Sequence, residues 1–168
     1  MKKKLLMYLL CFLIPPNLCL ALTNEQEKVL EYVNKHAGVH KKDIAAIIKQ
    51  ESFIGDKVVR AGDSGKAHGV GQMHIPTAMY VLENLYGKNH GFTKKSLSKK
   101  LLTDDEFAVK LALRYYQYLL KTFNYNRKLA ILAYNVGPTK VKRLGLDFDP
   151  NNYLSKVLTR RDKLTYFG

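Results

Sequence analysis

Apolar residues recur at helical spacing along most of this chain, and that spacing limits the possible fold more than any other feature. The longest example starts at the capping-box pattern of residues 103–106, after which Phe107, Leu111, Tyr115 and Leu119 follow every four residues. A stripe of this kind buries one face of a helix against a core. No convincing strand alternation occurs elsewhere, so the sequence predicts a mainly α-helical protein.

Further helices are predicted on both sides of this stripe, and each starts with a capping residue or a first-turn proline. Their start signals are a capping box at residues 23–26, Asp43, Pro76, Asn126 and the pair Asp149-Pro150, and their stops include Gly38, Gly87 and Gly137. Residues 55–71 are rich in glycine and polar side chains, which indicates a long loop. Loops of this length are often functional. A short β-hairpin within 55–71 is the one strand structure we expect.

The first 21 residues have the layout of a secretory signal peptide. Three lysines precede an apolar run of ten residues, a proline pair ends the run, and Cys19 and Ala21 provide small residues for cleavage. The run is too short for a transmembrane helix, which needs about 20 residues. We therefore expect residues 1–21 to be removed on export. Residues 22–168 would form a single domain in the periplasm or outside the cell, associated with the wall.

Cleavage would change both the redox chemistry and the charge of the chain. Both cysteines, Cys11 and Cys19, lie in the predicted leader, so the mature protein could form no disulfide and would depend on its apolar core. Removing three lysines from the 28 basic residues leaves 25 against 14 acidic ones, a net charge of +11. Such a field favours nucleic acid, an anionic membrane surface or an acidic wall polymer, without choosing among them.

One carboxylate interrupts the apolar pattern. Residues 44, 47, 48 and 51 share a helix face at 100° per residue; three of them are isoleucine and the fourth is Glu51. Burial there would disfavour the charged form and raise the pKa, as a general acid near neutral pH requires. The alternative is that the helix frays and Glu51 emerges into water. Because Ser52 and the glycine-rich loop follow directly, we expect Glu51 at the mouth of a cleft.

Three motifs occur in a fixed order around this carboxylate. Gln-Glu-Ser stands at 50–52, Gly-Val-Gly-Gln-Met at 69–73 with Pro-Thr-Ala at 76–78, and Ala-Tyr-Asn-Val-Gly-Pro at 133–138. In this order they resemble the lytic transglycosylases of the soluble (SLT) type, relatives of goose-type lysozyme. The resemblance spans about Ile44 to Val157. It implies a small, mainly helical, lysozyme-like domain that acts on peptidoglycan glycan strands.

The resemblance also implies roles for single residues. Glu51 occupies the position of the sole catalytic acid/base, and the positions assigned to the substrate groove are Ser52, Gly69, Gln72, Met73, Tyr134, Asn135 and, least specifically, Tyr153. Each has an ordinary alternative, such as a surface loop residue for Gln72, a core residue for Tyr134 and a helix-end cap for Asn135. In the long helix, Ala108 and Ala112 stand where the family often has asparagine and glycine.

The implied reaction breaks the β-1,4 bond between N-acetylmuramic acid and N-acetylglucosamine without water and leaves a 1,6-anhydro sugar. One alternative is a goose-type hydrolase in which Asp63 activates a water molecule. Another is a cationic wall-binding protein without activity. We expect no cofactor and no metal, because His68 and His74 have no partnered carboxylate in the sequence. We expect a monomer, no specific nucleic acid, and, as a further candidate partner, a secretion or pilus apparatus.

Overall fold

A computed structural model describes residues 21–167, and the predicted leader therefore lies outside the described residues except for Ala21. Its helices are α1 (Asn24–Ala37), α2 (Lys41–Ser52), α3 (Ile75–Tyr86), α4 (Lys94–Thr103), α5 (Asp105–Thr122), α6 (Arg127–Val136), α7 (Pro138–Leu144) and α8 (Tyr153–Asp162). The predicted mainly helical class is confirmed. No helix among these residues is long and apolar enough to cross a membrane.

The long helix α5 is the centre of the fold. It packs against α1, α3, α4 and α6, while α2 packs along α8. Its predicted stripe faces inward, since Leu111, Tyr115 and Leu119 are buried and Phe107 is partly buried against the same hydrophobic core. Burial of this stripe, at about 25 cal/mol per Å² of apolar surface, holds the helices together.

Strands occupy the predicted loop between α2 and α3, and they extend beyond 55–71 at both ends. They are β1 (Phe53–Ile54), β2 (Lys57–Val58), β3 (Ala61–Gly62), β4 (Ala67–His68) and β5 (Met73–His74). β1 and β2 form an antiparallel hairpin, whose two-residue turn uses Gly55 at φ +61°. β3, β4 and β5 form a second antiparallel sheet in that order. The hairpin expected within 55–71 is the antiparallel pair β3–β4, whereas the hairpin β1–β2, which starts before residue 55, and strand β5 were not anticipated.

Two predicted helix starts are wrong. Thr103 does not start the long helix but ends α4, a helix that the sequence did not predict. Asp104 caps α5 by accepting a hydrogen bond from the Phe107 amide at 2.9 Å. Asp43 does not cap α2, because that helix begins at Lys41 and Asp43 is buried in its first turn. The Asp43 carboxylate instead accepts hydrogen bonds from Arg161 of α8 at 2.7 Å and from the Tyr116 hydroxyl at 3.0 Å. It therefore ties α2 to α8 and α5.

The last helix begins later than its proline suggests. Asn151 and Asn152 adopt left-handed backbone conformations, which interrupt the turn that Pro150 starts, so α8 begins at Tyr153. The predicted capping residue still acts across this interruption. The Asp149 carboxylate accepts a hydrogen bond from the Leu154 amide at 3.0 Å. This start places Tyr153 at the end of α8 that faces α2.

Candidate active site

A cleft of about 600 Å³ opens between the end of α2, the second sheet, the start of α3 and the end of α6. Its lining residues are Glu51, Asp63, Ala67, Gln72, Met73, His74, Thr77, Tyr115, Tyr134, Asn135, Val136 and Gly137. A neighbouring cavity of about 380 Å³ also includes Glu51 and Asn135, with Gln50, Pro150, Asn151, Tyr153 and Lys156. Glu51 therefore borders both cavities.

Glu51 lies in the last turn of α2, with the fully buried Ile44, Ile47 and Ile48 on the same helix face. Burial raises the pKa of Glu51 from 4.5 to about 7, and a hydrogen bond from Tyr153 offsets part of that increase. The carboxyl is half-buried and faces the cleft, so the alternative of a fully hydrated side chain does not describe this structure. A protonated fraction at neutral pH is what a general acid requires.

Tyr153 is the direct partner of this carboxyl. Its hydroxyl donates a hydrogen bond to Glu51 Oε1 over 2.6 Å, and its side chain is buried. Burial, followed by the nearby charge of Glu51, raises the pKa of Tyr153 well above its usual value. The hydroxyl therefore keeps its proton near neutral pH and can fix the orientation of the carboxyl.

Tyr134 and Gln72 brace the loop that forms one wall of the cleft. The Tyr134 hydroxyl donates to the carbonyl of Gly71 at 2.9 Å. Gln72 has a left-handed backbone, and its Nε2 donates to the carbonyls of Gly69 at 2.9 Å and Val59 at 3.3 Å. Burial first, and then the charge of Glu51, raises the pKa of Tyr134 well above its ordinary value. Both side chains line the cleft while holding the backbone beside it.

Two sequence-predicted groove residues do not reach the cleft surface. Ser52 is fully buried, and its hydroxyl donates to the carbonyl of Ile48 at 2.9 Å. Gly69 is also buried: a Cβ there would lie 2.7 Å from the Leu101 carbonyl oxygen and 3.0 Å from the Ala108 Cβ. Gly69 therefore permits packing against α4 and α5, which corrects the expectation that it approaches a sugar.

The remaining predicted residues lie at the cleft. Met73 is buried but contributes to its lining, and Asn135 is exposed between the two cavities. Asp63 stands at the rim with its side chain 57% exposed, and one of its oxygens is 3.5 Å from His74 Nε2. Asp63 and Glu51 thus border one cleft in contrasting environments, the first in water and the second half-buried.

Tyr115 and Thr77 line the cleft although the sequence did not mark them as functional. Tyr115 belongs to the core stripe of α5, where its hydroxyl is the one polar group among Phe107, Leu111 and Leu119. Thr77 was recognised within its motif but not given a role. Between residues 21 and 167, no group of three or more histidine, cysteine or acidic side chains could hold a metal ion.

The mainly helical domain, with two small sheets between α2 and α3 and a half-buried glutamic acid at its cleft, has a lysozyme-like fold. The chain belongs to the Transglycosylase SLT domain family, whose model matches residues 29–148. This match ends before Tyr153, so the contact of Tyr153 with Glu51 is a finding of the structure alone.

One solved structure adds to this assignment. It is the X-ray structure of the lytic transglycosylase Slt from Pseudomonas aeruginosa, in an inactive mutant that carries glutamine for a glutamate. The identity is 26%, the TM-score is 0.60, and the match covers 80% of this chain and 23% of that one. The chain thus spans about a quarter of the length of that relative. No curated protein matches the chain in sequence.

Proposed function

We propose that this protein is a lytic transglycosylase that cleaves the β-1,4 bond between N-acetylmuramic acid and N-acetylglucosamine in peptidoglycan, with Glu51 as its sole acid/base. The observation that carries the proposal is the Glu51 carboxyl, whose burial raises its pKa to about 7 at the wall of an open cleft. Membership of the SLT family supports the substrate class.

In the proposed mechanism, protonated Glu51 gives its proton to the glycosidic oxygen as the C1–O bond breaks. Since Tyr153 holds Oε1, we assign the transferred proton to Oε2. Positive charge develops at C1 of the muramyl sugar and is stabilised by the substrate's own acetamido group. The Glu51 carboxylate then takes the proton of the C6 hydroxyl as its oxygen bonds to C1. The product is a 1,6-anhydro ring, and Glu51 ends protonated, as it began.

Hydrolysis with Asp63 as a second carboxylate is the alternative that the geometry allows, because Asp63 borders the same cleft. An inverting hydrolase needs such a base to activate water on the opposite face of the sugar. We favour the transglycosylase because the Asp63 side chain is largely exposed and lies beside His74.

We also propose that the chain is exported through residues 1–21, acts as a monomer on the wall, and uses its excess of basic residues to stay on that anionic polymer. A cationic wall-binding protein without activity is the competing function. A secretion or pilus apparatus remains the candidate protein partner, for which a local wall opening would be useful.

The proposed activity can be tested by digesting purified peptidoglycan with residues 22–168 and identifying the products by mass spectrometry. Anhydromuramyl ends, lighter by one water than reducing ends, are expected. Glu51→Gln should abolish product formation while the protein still sediments with peptidoglycan. Asp63→Asn is the matched carboxylate control and should keep producing anhydro ends. Reducing ends that disappear in Asp63→Asn would establish hydrolysis instead, and a protein that binds but releases nothing would be a pure binder.

A further inference from the structure

A row of tyrosine rings leads out of the cleft toward the outer face of α3. Tyr134 and Tyr115 both line the cleft, and their ring centroids are 5.2 Å apart. Tyr115 stacks on Tyr118 with centroids 6.3 Å apart and the planes 14° apart. Tyr118 meets Tyr80 of α3 edge to face at 5.4 Å. Each ring contacts the next, so a row of packed rings, buried at Tyr134 and Tyr115 and half-buried at Tyr118, extends from the cleft to the exposed Tyr80.

A separate cavity of about 200 Å³ lies at the outer end of this row. Its walls include Tyr80, Tyr118, Asn84, Gln117, Arg114 and Lys121. We call it the Tyr80 cavity. Tyr80 is 44% exposed, so a ligand could reach its ring. It lies one helical turn beyond Thr77 on α3, and Tyr118 lies one turn beyond Tyr115 on α5. Side chains at this spacing are about 5–6 Å apart, so the cavity is a direct neighbour of the cleft.

The chemistry of these walls suits a sugar. Aromatic rings offer flat apolar surface to the C–H face of a pyranose. Asn84 Nδ2 already donates to the Tyr80 carbonyl at 2.7 Å, and Gln117 Oε1 accepts from Arg114 at 3.2 Å, so Asn84 Oδ1 and Gln117 Nε2 are the amide atoms placed to bond its hydroxyl groups. Arg114 and Lys121 are the ionisable cations of the lining, and no carboxylate is among the lining residues of this cavity. A muramyl carboxylate would therefore meet only positive charge there.

We propose that the Tyr80 cavity is a distal subsite that binds a further sugar of the glycan strand whose scissile bond lies at Glu51. This inference rests on the proposed function. It adds that the substrate is a strand long enough to run from Glu51 along the tyrosine row, and that longer strands bind more tightly than short fragments.

The test uses residues 22–168 with Glu51→Gln, so that bound glycans are not consumed. Calorimetry gives dissociation constants for chitobiose and chitohexaose, which are neutral β-1,4 oligomers of two and six N-acetylglucosamine units. Tyr80→Ala should weaken chitohexaose binding about threefold to tenfold, the size of one aromatic contact, and reduce the preference for the longer ligand. Tyr80→Phe keeps the ring and should restore that preference. Tyr125→Ala, at a tyrosine 69% exposed outside the cavity, is the matched control.

A second arm tests the cations. Lys121→Glu should weaken binding of a peptide-free hexasaccharide of alternating N-acetylglucosamine and N-acetylmuramic acid more than it weakens chitohexaose binding. Two results together would overturn the distal subsite and leave the proposed function intact. In the first, Tyr80→Ala changes the binding of both chitin oligomers equally or not at all. In the second, Lys121→Glu changes the binding of both hexasaccharides equally. If the Glu51→Gln protein bound no glycan at all, the proposed function would fail as well.

Discussion

Replacing Glu51 by glutamine should stabilise the folded protein at alkaline pH. The pKa of Glu51 is about 7 in the fold against 4.5 for the ordinary side chain, so between these values the native state keeps a proton that the unfolded state has released. The free energy of unfolding therefore falls as pH rises through this window. At 1.36 kcal/mol per pKa unit, the ionised carboxylate costs up to about 3 kcal/mol above pH 7. Neutral glutamine avoids that cost.

The measurement is the thermal unfolding midpoint of both proteins, followed by circular dichroism between pH 4 and pH 9. The two should unfold at similar temperatures near pH 4.5, while Glu51→Gln should be about 6 to 12 °C more stable at pH 8, given about 2–4 °C per kcal/mol for a domain of this size. Asp63→Asn, which alters an exposed carboxylate, should show no comparable rise. A Glu51→Gln difference that stays constant with pH would refute the assignment of a desolvated carboxyl.

Three further substitutions test contacts that α2 makes at its two ends. Tyr153→Phe removes the hydrogen bond that lowers the pKa of Glu51, so the alkaline limb of the pH–rate profile on peptidoglycan should move to higher pH; an unmoved limb would contradict the role given to this contact. Asp43→Ala removes the buried carboxylate that accepts hydrogen bonds from Arg161 and from the Tyr116 hydroxyl, and it should cost about 2 to 4 kcal/mol, measured as a lower urea midpoint. Arg127→Gln changes a half-exposed partner of Asp43 and should cost less than about 1 kcal/mol.

Glu51 could be found from sequence because it breaks a regular pattern. Three isoleucines on one helix face fix the direction of the core and make Glu51 conspicuous, but this pattern alone leaves open whether the carboxyl is desolvated or emerges into water at the helix end. The motifs that follow it in the sequence favour the cleft. The same local information could not separate Gln72, which lines the cleft, from Ser52, which turns into the core. Both belong to conspicuous motifs, but only tertiary packing decides which side chain faces the substrate.

Other features depended on contacts between distant parts of the chain. The strands have two residues each, too few for an alternating pattern, and are fixed by pairing such as Ala61 with His68. Helix α4 is rich in lysine and shows few apolar positions, so its sequence has no clear amphipathic pattern. The contact between Tyr153 and Glu51 joins positions 102 apart in the chain, and no local pattern encodes it.

The bracing of the cleft wall by Gln72 and Tyr134 has a consequence for the energetics of association. A loop that becomes ordered only around its ligand loses conformational entropy at each encounter, and this loss subtracts from affinity. Here the backbone between Val59 and Gly71 is already immobilised by side-chain hydrogen bonds to three of its carbonyls. The cleft wall thus loses its conformational entropy once, when the chain folds, and an arriving saccharide meets a wall that is already ordered.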